Sequence, residues 1–325
     1  MNKVLVTATN FAALCPEALR LLRENGCEVV LNEKERSLTR EEMLAAVGDI
    51  DGLIANVETW DEALFARAPR LRVIARFGVG YDCIDLEAAR RHGVQVVNCP
   101  GLNANAVAEM TVALLLGLVR EIPRMNRSLR EGRWERAIGP ELSGKTLGVL
   151  GFGAVARRVL RKLSGFEMRT LVYNRSVDAQ KAALAASLGA AQLTDELEPV
   201  LRESDILLLH LPLAANTARL INAETLARMK DGVYLVNTAR AALVDDAAMA
   251  AALASGRVAG FASDVYREEP VGESCPYLRH PHFLGTPHAA GETPENYRET
   301  GLATARAVLA VFAGERPEHS LIPEL

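Results

Sequence analysis

Residues 146–163 constrain the fold more than any other stretch of the chain. Thr146-Leu147-Gly148-Val149-Leu150 is an apolar, strand-like run, and it passes without a spacer into Gly151-Phe152-Gly153-Ala154-Val155-Ala156. A helix pattern follows directly, over 155–163. The turn therefore reads G-x-G-x-x-A between a strand and a helix. In that setting Gly151 permits the tight turn, Gly153 lets the backbone approach a pyrophosphate, and small Ala156 lets helix and strand pack closely. The helix start then offers unpaired N–H groups and the positive end of its dipole to phosphate oxygens. The plainer alternative is a glycine turn that only packs, and the intact strand–turn–helix context favours the dinucleotide site over it.

The same alternation of strand and helix runs through the chain. Strands are expected over 3–9, 27–31, 52–55, 71–77 and 94–99, and in a second series over 146–150, 170–173, 206–210, 232–237, 258–262 and 283–285. Between the series lies a long apolar helix candidate, 104–120, followed by an Arg- and Glu-rich stretch, 120–136, read as a solvated or subunit-facing helix. Pro16 suits the first turn of a helix over 16–24, Thr39 and Glu42 have capping-box spacing, and a last helix is expected over 295–312. Apolar strands alternating with helices predict parallel sheets covered on both faces. The fold class is thus α/β, with two doubly wound lobes. A length of 325 residues also fits two domains.

Composition excludes several classes of function. Lys plus Arg is 37 and Asp plus Glu is 41, a net charge of −4 that argues against broad binding to nucleic acid. The longest apolar-looking run, 110–119, is well short of the about 20 residues that span a membrane. The N-terminus enters a strand at once, with no leader pattern. Cys15, Cys27, Cys83, Cys99 and Cys275 form no C-x-x-C pair and read as buried, reduced thiols of a cytoplasmic protein.

Two further regions carry chemistry. The strand after the glycine turn ends in Asn174-Arg175-Ser176. An NAD-selective fold usually places an acid near this point against the ribose 2′-hydroxyl. Here Arg175 would attract a 2′-phosphate, and Asn174 and Ser176 can donate hydrogen bonds to it, so NADP(H) is favoured, with NAD the less favoured choice. The alternative is that Arg175 is only a solvated surface charge. Three segments that follow strand candidates then supply Arg240, Glu269 and His288. Arginine grips a carboxylate with two parallel hydrogen bonds. Histidine passes a proton near neutral pH, and a neighbouring glutamate fixes its tautomer and favours its protonated form.

These segments, with several others, resemble the D-isomer-specific 2-hydroxyacid dehydrogenases, and the likeness covers essentially the whole length. It includes Gly78-Val79-Gly80-Tyr81-Asp82-Cys83-Ile84-Asp85, Asn98-Cys99-Pro100-Gly101, Asn103 through Glu109, Leu142-Ser143-Gly144-Lys145-Thr146, and His210-Leu211-Pro212. The resemblance implies a Rossmann coenzyme domain, 100–288, inserted in a flavodoxin-like substrate domain built from 1–99 and 289–325. It implies hydride transfer between coenzyme and C2 of a small 2-oxo or 2-hydroxy acid, with Arg240 on the substrate carboxylate, His288 as acid and base, and Glu269 as its partner. Val79 and Gly80 would add backbone contacts to the carboxylate. Thr111, Gly151, Gly153, Ala154, Val155, His210, Leu211, Pro212, Thr217, Thr238, Ala239 and His288 would lie along the coenzyme with Asn174, Arg175 and Ser176, and Asp264 would meet the nicotinamide carboxamide. Ala156 replaces the third glycine, Ala241 stands where the family often has glycine, and Glu268 beside Glu269 leaves the partner of His288 to alignment.

Among substrates, glyoxylate or hydroxypyruvate is favoured. A phosphoglycerate dehydrogenase is the enzymatic alternative, although 54–59, Ile-Ala-Asn-Val-Glu-Thr, offers no cation for a phosphate. A coenzyme-sensing binding protein of the co-repressor kind is the alternative of a different class. A homodimer is expected. Cys275 with His280, His282 and His288 matches no zinc spacing, so no metal is expected. His210 reads equally as a buried hydrogen-bonding group, Glu109 as a structural carboxylate, and Trp60, Trp134 and Tyr297 as packing or interface residues.

Overall fold

The computed structural model describes residues 1–34 and 36–325. They form two units, one from Met1–Asn103 and Glu292–Leu325, the other Ala104–Gly291. These limits lie three or four residues from the expected ones. The chain crosses between units at the start of the helix Ala104–Val119 and just before the helix Pro294–Phe312.

The first unit holds β1 (Asn2–Val6), β2 (Cys27–Leu31), β3 (Gly52–Ala55), β4 (Val73–Arg76) and β5 (Gln95–Val97) in the order β2-β1-β3-β4-β5. Every pair is parallel. This is the flavodoxin-like order, which reverses between β1 and β3. One face packs Leu5, Leu53 and Ile74 against Met43, Leu64 and Phe65. The other packs Val4, Val6 and Ala75 against Leu19, Leu22, Ala305 and Val308. Strand side chains alternate between faces, so neighbours such as Val4 and Leu5 enter opposite cores. The capping box forms: Thr39 Oγ1 accepts from Glu42 N and the Glu42 carboxylate accepts from Thr39 N.

The second unit holds β6 (Thr146–Leu150), β7 (Arg169–Tyr173), β8 (Ala190–Thr194), β9 (Ile206–Leu209), β10 (Val233–Asn237), β11 (Val258–Ser263) and β12 (Phe283–Gly285). They are ordered β12-β11-β10-β9-β6-β7-β8, and all pairs are parallel. The order reverses at β6, the strand that carries the glycine turn, as in a Rossmann fold. Leu147, Val149 and Leu208 face the helices Ala104–Val119 and Ala154–Leu163, while Leu207, Leu209 and Phe261 face Leu226, Met249 and Leu253. The helix Ala104–Val119 is buried on most of its circumference, which explains its lack of a polar stripe.

Several expectations need correction. β8 was absent from the sequence reading because it is an edge strand paired only with β7, with Ala190 its single fully buried residue. The charged stretch 120–136 is helical only over Ile122–Arg130. Gly132, at φ 74°, lies in the following turn, and the chain beyond it is irregular. Strand ends at 7–9, 77 and 98–99 belong to loops that leave the carboxyl edge of the first sheet. Cys15, Cys27 and Cys99 are buried, but Cys83 and Cys275 are only half-buried. Trp60 and Tyr297 are core residues, whereas Trp134 is 84% exposed. No helix among the described residues is long and apolar enough to cross a membrane.

Candidate functional site

The glycine turn leaves the carboxyl end of β6 at the point where strand order reverses. Gly151 has φ 105°, and a Cβ there would stand 2.6 Å from the backbone oxygen of His210, so only glycine fits the turn. Gly153 is the N-cap of Ala154–Leu163 and provides no side-chain cap. The amides of Phe152, Gly153, Ala154 and Val155 have no acceptor among the described residues. Such a cluster of unfilled donors at a helix start fits a pyrophosphate. His210, at the end of β9, adds a buried Nε2 with no hydrogen-bond partner among the described residues, and burial pushes its pKa down to about 4, leaving a neutral ring. Sequence reasoning left His210 open between structure and coenzyme; its Nε2 satisfies no group among the described residues.

Other residues expected along the coenzyme divide into rim and support. Thr111 is fully buried; its hydroxyl donates to Val107 O and lies 2.8 Å from Thr238 Oγ1, so it holds Thr238 from beneath. Thr217 Oγ1 donates to Pro212 O at 2.8 Å and accepts from Ala214 N at 2.8 Å, closing the loop after Leu211. Asn174, at the end of β7, gives its side-chain amide to Ser176 O at 2.8 Å, so it shapes the turn that presents Arg175. Glu109 accepts from Lys162 and Asn105 at an exposed helix face.

The proton-handling residues come from the ends of β10, β11 and β12. Asn237 closes β10: Oδ1 accepts from Ala239 N, and Nδ2 donates to Arg240 O at 2.9 Å. That turn sets the backbone of Arg240, whose Nη1 donates to Ala239 O. Beyond β11, Tyr266 N donates to Glu269 Oε1 at 2.9 Å, and Glu269 Oε2 lies 2.7 Å from His288 Nδ1. Glu268 points elsewhere and accepts from Ser274 Oγ. The partner of His288 is therefore Glu269.

His288 has φ 51°, a left-handed conformation that a non-glycine residue adopts at some cost. Asp264, 1% exposed, over-determines that loop. Its Oδ1 accepts from Thr286 Oγ1 at 2.6 Å and Ala289 N at 2.8 Å, and Oδ2 accepts from Ala290 N at 2.9 Å. Three of the acceptor positions of this carboxylate are thus committed to the His288 loop, and Oδ2 accepts one bond only among the described residues.

The electrostatics favour an imidazolium. The Glu269 hydrogen bond raises the His288 pKa above the usual imidazole value; desolvation opposes it, the charges of Glu269 and Asp264 add to it, and Arg240 works against it. For Glu269, burial pushes upward, but the hydrogen bonds from His288 and Tyr266 N outweigh it and the net direction is down. A raised histidine and a lowered carboxylate are the two halves of a stable His–Glu pair.

In the first unit, Val79 and Gly80 lie in the loop after β4. Gly78, at φ 147°, starts it, Cys99 N donates to Gly78 O, and Asn98 Nδ2 donates to Val79 O at 2.7 Å. The amides of Val79 and Gly80 have no acceptor among the described residues, so this loop too presents open N–H donors. Sequence reasoning missed Asn98, Asn237 and Tyr266 as organisers. An asparagine at a strand end before a tight turn was the available signal for Asn237.

A family model described as the D-isomer specific 2-hydroxyacid dehydrogenase NAD binding domain matches residues 112–290. The chain belongs to the D-isomer specific 2-hydroxyacid dehydrogenases. It is 38% identical over 315 residues to a glyoxylate reductase of Pyrococcus furiosus, covering 92% of each chain. It is 37% identical over 301 residues to a D-3-phosphoglycerate dehydrogenase of Archaeoglobus fulgidus, covering 92% of this chain and 56% of that one. This dehydrogenase chain thus spans just over half the length of that relative. Among solved structures, the TT0316 protein of Thermus thermophilus superposes with a TM-score of 0.88 at 34% identity, over 98% of this chain and 99% of that one. Glycine turn, Arg240 and the Glu269–His288 pair all lie within the matched dehydrogenase domain.

Proposed function

We propose that the protein is an NADP(H)-dependent reductase of small 2-oxo acids, of the glyoxylate and hydroxypyruvate class, yielding D-2-hydroxy acids. The second unit is the coenzyme domain and the first, with Val79 and Gly80, is the substrate domain. The observation that carries the reading is the His288–Glu269 pair at 2.7 Å, on the same sheet edge as Arg240 and the glycine turn.

When bound, the nicotinamide supplies the hydride to C2, or takes it up in the reverse direction. Arg240 grips the substrate carboxylate through its guanidinium fork and draws electron density from the adjacent carbonyl. His288, protonated and held by Glu269 through Nδ1, gives the Nε2 proton to the carbonyl oxygen, and in oxidation the neutral ring takes it back. The free amides of Val79 and Gly80 are the donors that the substrate domain itself offers to an anion. Asp264 and Thr286 keep His288 in its left-handed loop, so the ring is positioned before substrate arrives.

A phosphorylated substrate is the second reading, favoured by the phosphoglycerate dehydrogenase relatives. Against it, the 54–59 loop carries Glu58 and no cation. The Glu58 carboxylate is buried and accepts from Thr7 Oγ1 at 2.8 Å and Leu38 N at 3.3 Å. The deciding experiment is a matrix of glyoxylate, hydroxypyruvate, pyruvate and phosphohydroxypyruvate against NADPH and NADH, scored by kcat/KM. Highest values for glyoxylate or hydroxypyruvate with NADPH support the reading. A preference for the phosphorylated acid moves the assignment to the second reading, and no turnover at all moves it to a coenzyme-sensing binding protein.

We also infer a homodimer. Ile122, Leu129, Trp134 and Ile138 are 51%, 55%, 84% and 98% exposed along one segment of the coenzyme domain, an apolar display that a second copy would cover. Light scattering should give twice the chain mass, and W134E/I138E should give a single chain mass. A monomeric wild type refutes the inference.

A further inference from the structure

In a Rossmann fold the end of the second strand reads the ribose 2′ position. Here that strand is β7, and the turn after it, Asn174-Arg175-Ser176-Val177, is built before any ligand arrives. Asn174 N donates to Thr194 O on β8, and Asn174 Nδ2 donates to Ser176 O at 2.8 Å. A residue outside the turn completes it. Lys181, in the first turn of the helix Ala179–Ser187, donates from Nζ to Ser176 O at 3.2 Å and to Ser176 Oγ at 2.9 Å. Because Ser176 Oγ receives this bond, its own proton points away from the ammonium, and that proton has no acceptor among the described residues.

The charges point the same way. Arg175 is exposed and its guanidinium makes no ion pair among the described residues. The Lys181 ammonium lies 3.3 Å from Asp178 Oδ2, while Asp178 Oδ1 caps the helix through Lys181 N. Two cations and one anion leave a single positive charge around an oriented hydroxyl donor. A phosphate monoester carries about −1.5 to −2 at neutral pH and needs both charge and donors. A bare ribose 2′-hydroxyl would gain little from either cation.

We propose that Lys181 is a coenzyme-specificity residue, the second cation of a 2′-phosphate subsite in which Arg175 supplies the guanidinium fork and Ser176 the oriented hydroxyl. This rests on the NADP(H) reading above. Lys181 acts in two ways: its ammonium faces the phosphate directly, and its bond to Ser176 Oγ holds the hydroxyl proton outward.

The test uses the full chain and variants K181M and K181R. Calorimetric titration with adenosine 2′,5′-bisphosphate and with 5′-AMP reads the subsite without turnover, and kcat/KM with NADPH and NADH reads it in the reaction. For the wild type, the bisphosphate should bind more tightly than 5′-AMP. K181M should weaken the bisphosphate about tenfold and lower the NADPH-to-NADH ratio of kcat/KM by a similar factor, the size expected for one charge-assisted hydrogen bond. K181R should recover part of both. A wild type that prefers NADPH, with a K181M ratio unmoved, overturns the role of Lys181 alone. A K181M that weakens bisphosphate and 5′-AMP equally also overturns it, because a general disturbance of the turn would do that. A wild type that prefers NADH and 5′-AMP overturns the NADP(H) reading and the role of Lys181 with it.

Discussion

Replacing Glu269 by glutamine isolates the contribution of its charge to His288. Glu269 serves two donors at once, His288 Nδ1–H at 2.7 Å and Tyr266 N at 2.9 Å. Glutamine keeps the shape but has one acceptor oxygen. The Tyr266 amide can only donate and has no other acceptor among the described residues, so the glutamine oxygen goes to it and the NH₂ turns to His288. Nδ1 must then accept, and the ring proton moves to Nε2 of a neutral imidazole. A hydrogen bond between charged partners contributes roughly 1.5–3 kcal/mol. The two side chains are 50% and 37% exposed, so solvent screening places this one at the lower end, about 1.5–2 kcal/mol. At 1.36 kcal/mol per tenfold, E269Q should lower reductive kcat roughly ten- to thirtyfold. The pH dependence has a definite sign. Reduction needs the protonated ring, so reductive kcat is full below the His288 pKa and falls as pH rises through it. Glu269 raises that pKa, hence E269Q must move the falling limb to lower pH, and its deficit must shrink on acidification. The assay is reductive kcat against pH at saturating coenzyme, for wild type and E269Q. An unmoved limb, or a kcat within twofold of wild type at every pH, would refute the reasoning.

Other changes test neighbouring parts of the site. Arg240→Lys keeps the charge but loses the fork; KM for the 2-oxo acid should rise and kcat should fall, and steady-state kinetics with either effect missing would count against a bidentate carboxylate contact. Gly151→Ala forces a side chain onto φ 105° and places its Cβ 2.6 Å from His210 O, so coenzyme binding followed by fluorescence titration should be lost and the thermal midpoint should drop. Asp264→Ala leaves the Ala289 and Ala290 amides and the Thr286 hydroxyl without this acceptor, at about 1–3 kcal/mol for the buried Ala290 amide and less for the two part-buried groups. The midpoint of denaturant unfolding should fall, with kcat dropping more than coenzyme affinity; an active, fully stable variant would show that the His288 loop holds itself.

Fold class was legible because parallel strands buried on both faces are written as apolar runs, and eleven of them stood out between helix patterns. β8 escaped for the converse reason. An edge strand with one neighbour and a mostly exposed surface needs no apolar pattern, so Ala190–Thr194 gave no strand signal. The charged stretch near Arg127 was readable as a solvated or subunit-facing helix, but the point where that helix stops depends on Gly132 and on what the following loop meets, which local spacing does not encode.

At the site, residue chemistry was enough to propose the glycine turn, Arg240, His288 and a carboxylate at 268 or 269 as candidates, because few other side chains bind pyrophosphate, grip carboxylates or move protons near neutral pH. Sequence by itself therefore determined the kinds of group available and the strand ends that bear them. Partnership was decided only by the tertiary structure. Glu268 and Glu269 are equivalent in composition, and the peptide geometry after β11 turns one toward His288 and the other toward Ser274. For Asp264 the resemblance implied only a coenzyme contact; its second task, bracing the His288 loop through three hydrogen bonds at 1% exposure, comes from the packing alone. Lys181 lay five residues beyond Ser176 with nothing to mark it, until the first turn of its helix carried the ammonium back to the end of β7. Hydrogen bonds act over about 3 Å and are directional. A chain position fixes neither distance nor direction until strands and helices have packed.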